Sequence, residues 1–167
     1  MCSSDLRAFF LNSGSEAIDS AIKFAWYYNN GRGLRDKKKI ISRLRGYHGV
    51  TVAGGSLTAI PLMQNDFDLP LDRMKQTDTP NFYRFGETGE SEEAFSTRLA
   101  NSLEQLILQE GPETVAAFDA APIMGAGGVI LPPATYFPKI QVWLDKYDLP
   151  LVSYEGTSRL GRPGKLW

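Results

Sequence analysis

The first residues that could do chemistry form a turn with the sequence NSGSE, residues 12–16, between an apolar segment and a helical pattern. The start of a helix carries unpaired backbone N–H groups and the positive end of the helix dipole. Gly14 and Ser15 could therefore hold an anion such as a phosphate, and Gly14 would let the backbone approach it closely. The alternative is a capping box, in which Ser13 caps the helix and Glu16 reaches back to it. Both interpretations are compatible with the motif.

A second candidate group is the pair Tyr47 and His48, the latter being the chain's only histidine. A lone histidine can be structural or exposed as well as functional, and Tyr47 could be a core aromatic or a platform for a flat ring. The glycine-rich segment 124–128 does not have the G-x-G-x-x-G spacing of a dinucleotide site. The sequence offers no Cys/His cluster for a metal and no identifiable Ser-His-Asp set.

The overall composition excludes several classes of partner. The chain has 167 residues, which suits one domain, with 18 basic and 19 acidic residues and a net charge of −1. A pI near 5.9 gives no electrostatic signature for nucleic acid or an anionic membrane. No apolar run approaches the roughly 20 residues of a spanning helix, and Cys2 alone cannot form an internal disulfide. We expect a soluble, cytoplasmic protein.

The first residues do not resemble the rest of the chain. Residues 1–7 lack the basic start and apolar segment of a signal peptide. They are consistent either with a disordered N-terminus or with an artefact of a sequencing adapter read into the frame. We therefore expect the folded part to be residues 8–167.

Hydrophobic periodicity predicts three helices and four short strands. The strands are expected at residues 8–11, 39–43, 114–123 and 149–154, and the helices at 15–28, 91–109 and 136–147. The first helix is expected to pack through Ala17, Ala21, Phe24 and Ala25. A loop-rich stretch is expected between residues 61 and 89. Short apolar strands that alternate with helices predict an α/β fold, with a mostly parallel sheet flanked by helices.

Taken in order, these segments resemble the class III (omega) aminotransferases, which are fold-type I enzymes that use pyridoxal 5′-phosphate. The resemblance is carried by motifs spread along the chain: NSGSEA at 12–17, RGYHG at 45–49, GPETVAAF at 111–118, MGAGG at 124–128, KYDLPLV at 146–152 and LGRPGK at 160–165. It covers nearly all of the chain after residue 7. The matching part is the centre of the family's large domain, under half of a full-length enzyme.

The resemblance implies a function and a cofactor site. Gly14 and Ser15 would bind the cofactor phosphate, Tyr47 would stack on the pyridine ring, and His48 would lie beside it. The intact relatives move an amino group from an amine or ω-amino acid to a keto acid such as pyruvate. They are homodimers with active sites at the subunit interface.

This chain departs from the family at its catalytic positions. The family's Schiff-base lysine lies beyond Trp167, and Lys165 matches no catalytic position. The carboxylate expected under the pyridinium nitrogen is replaced by Tyr154, a phenol that is neutral at pH 7. The family's glutamate before proline is Ala121, and Asp119 lies roughly 7 Å away along the strand.

We therefore assign no catalytic residue and no metal ligand, and we expect the chain to be inactive alone. The alternative is a non-catalytic module that binds pyridoxal phosphate, another phosphate or a protein partner.

Overall fold

The computed structural model describes residues 7–158, which form a parallel four-stranded sheet with helices on both faces. The strands are β1 (Lys39–Arg43), β2 (Met74–Thr77), β3 (Val115–Ala120) and β4 (Leu151–Ser153), in the order β2-β1-β3-β4. The helices are α1 (Gly14–Gly31), α2 (Val52–Leu57), α3 (Phe82–Phe85), α4 (Glu92–Glu110) and α5 (Tyr136–Lys146), with a 3₁₀ turn at Pro61–Met63. The predicted α/β fold is confirmed.

The core consists of two apolar layers, one on each face of the sheet. Neighbouring residues of β1 point to opposite faces because side chains alternate along a strand. Ile41, paired with Phe118, packs towards α4 and α5, whereas Ile40, paired with Ala117, packs towards α1 and α2. Every residue of β3 is buried, as expected for a parallel strand covered on both faces.

The predicted strand at residues 8–11 is wrong. This segment is irregular, and Phe10 is 89% exposed. The fourth strand is instead β2, which lies inside the stretch expected to be loop-rich. Only the two end residues of β2 are buried, since it forms one edge of the sheet, and its central Lys75 and Gln76 hide its strand character in the sequence.

Helix α1 is present, but its buried face differs from the predicted one. Within that face Ala25 is buried, whereas Ala17 is exposed and Phe24 is 53% exposed. The residues that pack on the sheet are Ile18, Ile22, Ala25 and Asn29. The amide of Asn29 donates to the backbone oxygens of Ala25 and Ala116, at 2.9 and 3.3 Å, which ties the helix to β3. A buried asparagine with these partners is not visible in an apolar pattern.

Helices α4 and α5 and strands β1 and β3 lie where the sequence predicts them. Helix α4 is capped by Ser91 and buries an apolar face that includes Phe95, Leu99, Leu103 and Ile107. In the described part of the chain, no helix combines the length and apolarity that a membrane span requires.

Candidate functional site

The turn at the start of α1 (residues 12–16, the α1 turn) is a capped helix start with free donors. Ser13 Oγ accepts a hydrogen bond from the N–H of Glu16 at 3.2 Å, and the Glu16 carboxylate accepts from the N–H of Asn12 at 2.9 Å. The predicted cap is therefore confirmed, with Glu16 reaching Asn12 rather than Ser13. Within residues 7–158, the N–H groups of Gly14 and Ser15 have no acceptor. Two backbone donors at the positive end of the helix dipole are left for an anion.

The loop that carries Tyr47 and His48 packs directly on the α1 turn. Ser15 Oγ accepts a hydrogen bond from the N–H of Val50 at 3.0 Å. Gly49 has a φ of +108°, and a Cβ on it would lie 2.5 Å from Ser15 Oγ. Only glycine combines this backbone conformation with so close an approach. The structure thus brings together two motifs that lie about 35 residues apart in the sequence.

His48 is buried and faces Asp119. Its Nδ1 lies 3.0 Å from Asp119 Oδ2, and both side chains are 2% exposed. The two groups are close but not aligned for a hydrogen bond, since neither Nδ1 nor the carboxylate oxygens have a partner of good geometry among the described residues. Asp119, which precedes the family's glutamate position at Ala121 by two residues, lies against the histidine. The role of His48 at a cofactor stays a prediction.

Arg43 is a buried component of this region that the sequence analysis did not identify. It ends β1, it is 1% exposed, and its guanidinium donates to the backbone oxygen of Ala121. The guanidinium carbon also lies 5.7 and 5.5 Å from the ring centroids of Tyr136 and Phe137. Burial lowers the pKa of Arg43, and the nearby charge of Asp119 opposes that shift. The available signal was a charged residue at the end of a predicted buried strand, KIISR.

Tyr154 follows β4 and reaches back to the α1 turn. Its ring is tilted by 53° against the ring of His48, with centroids 5.4 Å apart. Its hydroxyl lies 2.9 Å from the position that a Cβ on Gly14 would take. Burial raises the pKa of Tyr154, and the charges of Tyr47 and Asp119 raise it further. The phenol is therefore neutral at pH 7 and cannot supply the charge of a carboxylate.

A cavity of about 230 Å³ lies beside Tyr47 and Tyr154. Residues from segments 121–126 and 156–157 complete its walls. In the described part of the chain, neither Gly14 nor Ser15 lines it. Tyr154 lines this aromatic cavity, and its hydroxyl faces the α1 turn at Gly14.

No lysine of residues 7–158 lines this cavity. Most of the described lysines bond elsewhere; for example, Lys37 donates to the backbone oxygens of Tyr147 and Asp148, and Lys146 to Glu104. Lys165 lies outside the described residues. Among residues 7–158, no group of three or more His, Cys, Asp and Glu side chains is placed to hold a metal ion.

The family follows from comparison with known proteins. Residues 1–167 match the family model described as aminotransferase class-III. The chain belongs to the class III aminotransferases. It is 55% identical over 161 residues to a γ-aminobutyrate transaminase 3 of tomato (Solanum lycopersicum), named as chloroplastic, with 96% of this chain and 31% of the relative covered. It is 53% identical over 161 residues to a mitochondrial γ-aminobutyrate transaminase 1 of rice (Oryza sativa subsp. indica), with the same coverage.

A solved relative confirms the fold. The crystal structure of the omega transaminase of Pseudomonas jessenii in complex with PMP matches with a TM-score of 0.92 and 54% identity. The match covers 95% of this chain and 35% of that one. This class III aminotransferase chain therefore spans about a third of the length of its relatives.

Class III aminotransferases depend on pyridoxal 5′-phosphate, but the described residues fit only part of that group. Donors for the phosphate end are present, because the N–H groups of Gly14 and Ser15 have no acceptor at a helix start. The ring end does not fit, because the ring of Tyr154 lies between that turn and the cavity beside Tyr47. The side chains as placed do not accommodate a ligand that must reach both.

Proposed function

We propose that this chain is the central part of a pyridoxal-phosphate-dependent class III transaminase. The whole enzyme would transfer an amino group from an amine or ω-amino acid to a keto acid such as pyruvate. The observation that carries the proposal is the packing of the Tyr47–His48 loop on the α1 turn, where Ser15 Oγ accepts from the N–H of Val50. The names of the tomato and rice relatives favour γ-aminobutyrate as a donor.

Within this proposal, Gly14 and Ser15 would bind the cofactor phosphate, and Tyr47 and His48 would lie at its ring. These four roles are predictions for an enzyme in which the side chain at position 154 leaves room for the cofactor ring. The described residues do not perform the transfer alone, because no lysine among them lines the site.

A chimera tests the proposal. Residues 8–153 of this chain would replace the matching segment of the P. jessenii omega transaminase, which keeps its own residue at the position of Tyr154. We expect alanine to form from pyruvate and an amine donor. A matched chimera carrying Gly14→Val should lose this activity, because the added side chain would close the approach to the α1 turn. A folded chimera without activity would contradict the proposal.

Tyr154 favours a second candidate function. A phenol in the place of the cofactor ring suits a non-catalytic module that binds a small phosphate or a protein partner. The gene sequence downstream of the Trp167 codon distinguishes the two candidates. An in-frame continuation that encodes a lysine at the family position supports the transaminase. A stop codon directly after the Trp167 codon, in a gene with its own promoter, supports the module.

The compartment and assembly state are further proposals. The composition favours the cytoplasm, whereas the tomato and rice relatives are named as chloroplastic and mitochondrial. The family resemblance favours a homodimer. Cell fractionation with an antibody to the native protein tests the first, and sedimentation of the chimera tests the second.

A further inference from the structure

Tyr154 occupies the passage between the two halves of the candidate site. We infer that the Tyr154 side chain is an intramolecular plug, which separates the α1 turn from the aromatic cavity beside Tyr47 and so excludes any ligand that must reach both. Pyridoxal phosphate is such a ligand, since its phosphate and its ring are parts of one rigid molecule. The inference rests on the proposed function only for the choice of that ligand.

Tyr154 makes a close contact with the α1 turn. Its hydroxyl lies 2.9 Å, and its Cζ and Cε2 lie 3.9 Å, from the position of a Cβ on Gly14. The two carbons are at van der Waals distance, whereas the hydroxyl is closer than a real Cβ would allow, so the phenol lies directly on the open side of Gly14. A larger residue at position 14 would collide with it. The space left by the missing side chain of Gly14 is occupied by the Tyr154 hydroxyl.

Several neighbours hold the ring of Tyr154 in this place. It packs against the ring of His48 at 5.4 Å and against a small apolar cluster formed by Ala121, Met124 and Ile130. A Cβ on Gly156 would also lie 3.6 Å from its Cζ. The ring is therefore packed on several sides, and moving it out would expose apolar surface to water. A ligand that displaced the ring would bind more weakly by the free energy of exposing that apolar surface.

The remaining cavity does not reach the anion donors of the α1 turn. Its volume of about 230 Å³ lies beside Tyr47 and segment 121–126, and in the described part of the chain it does not include Gly14 or Ser15. Removal of the Tyr154 ring would join this volume to the α1 turn. The plug thus decides which ligands the site accepts.

Equilibrium binding tests the plug. The probe is pyridoxine 5′-phosphate, which has the ring and phosphate but no aldehyde, so that surface lysines do not react with it. Fluorescence titration of the purified 167-residue chain would compare the wild type with Tyr154→Ala, which removes the ring, and Tyr154→Phe, which keeps it. We expect Tyr154→Ala to bind at least about tenfold more tightly than the other two, or about 1.4 kcal/mol. Each of the three chains should bind pyridoxine, which lacks the phosphate, more weakly than pyridoxine 5′-phosphate.

Equal affinity of the wild type and Tyr154→Ala would overturn the inference, as would a folded Tyr154→Ala chain that does not bind. The reciprocal change covers the case in which Tyr154→Ala does not fold. Tyrosine at the aligned position of the P. jessenii enzyme should weaken its binding of PMP at least about tenfold, and unchanged binding would also overturn the plug. If the chimera is active but the Tyr154→Ala chain does not bind the probe, the plug is wrong and the proposed function stands. If the chimera is folded but inactive while the Tyr154→Ala chain binds more tightly than the wild type, the proposed function is wrong and the plug stands.

Discussion

At the scale of single residues, Tyr154 and Asp119 both make contacts that the sequence did not predict. Tyr154 cannot act as a carboxylate, and its ring packs between His48 and Gly14. Asp119 lies against Nδ1 of His48. Each of these side chains therefore has a structural role that its residue type alone does not reveal.

A second residue-scale feature is the ion pair between Glu90, just before α4, and Arg98, within that helix. Arg98 Nη2 lies 2.8 Å from a carboxylate oxygen of Glu90, and the backbone N–H of Glu87 donates to the same carboxylate at 2.9 Å. The hydrogen bond from Arg98 and then that backbone donor lower the pKa of Glu90 from 4.5 to about 2. The folded state thus favours the ionised carboxylate more than the unfolded state does.

This shift predicts a pH dependence of stability. Because the folded pKa is depressed, the contribution is complete above pH 4.5 and is lost as the pH falls towards about 2. Glu90→Gln should lower the melting temperature at pH 7, and the difference from the wild type should shrink below pH 4.5. Differential scanning fluorimetry between pH 7 and pH 2.5 measures it. Asp66→Asn, at an exposed carboxylate without an ion pair among residues 7–158, is the control.

At the scale of elements, the site depends on how the loop after β1 meets the start of α1. The positive φ of Gly49 turns this loop so that the N–H of Val50 reaches Ser15 Oγ. Thr51, the N-cap of α2, donates to the carboxylate of Asp19 on α1 at 2.7 Å. The two helices are therefore held together by side-chain contacts at their N-terminal ends.

Two glycines with positive φ separate the contribution of this contact from that of backbone strain. Gly49 and Gly33 have φ values of +108° and +80°, and an added Cβ would meet Ser15 only at Gly49. Gly33→Ala should cost about 1 kcal/mol from strain alone. Gly49→Ala should cost about 2 kcal/mol more, because the neighbouring helix has to move. Urea unfolding of both variants measures the difference, and equal losses would show that the contact contributes no stability.

At the scale of the whole molecule, the described residues leave apolar surface beside an exposed sheet edge. Phe24 and Tyr28 of α1 are 53% and 52% exposed, and they line a shallow groove with Pro150 and Val152 next to β4. In the described part of the chain, β4 pairs only with β3. An open strand edge with an apolar face beside it favours association between chains.

We therefore predict that the purified 167-residue chain self-associates. Multi-angle light scattering should show a mean mass that rises with protein concentration. Phe24→Ser should reduce this rise, because it removes apolar surface next to the edge. Tyr83→Ser is the matched control, since Tyr83 is 95% exposed but does not line the groove. A monomer that unfolds in one cooperative transition would contradict the prediction.

The sequence by itself determined the family and most of the local structure. Helices α4 and α5, strands β1 and β3 and the capped turn at Ser13 follow from periodicity and capping residues, which depend on neighbours a few positions away. The loss of a carboxylate at Tyr154 was also evident from the residue type.

Only the tertiary structure decided the remaining features, because they depend on contacts between residues far apart in the sequence. Pairing with β1 selects Met74–Thr77 as a strand and leaves residues 8–11 irregular. The buried face of α1 includes Asn29, whose amide bonds to β3. Packing against Gly14 and His48 makes Tyr154 a plug, and no local pattern could show which space its ring would fill.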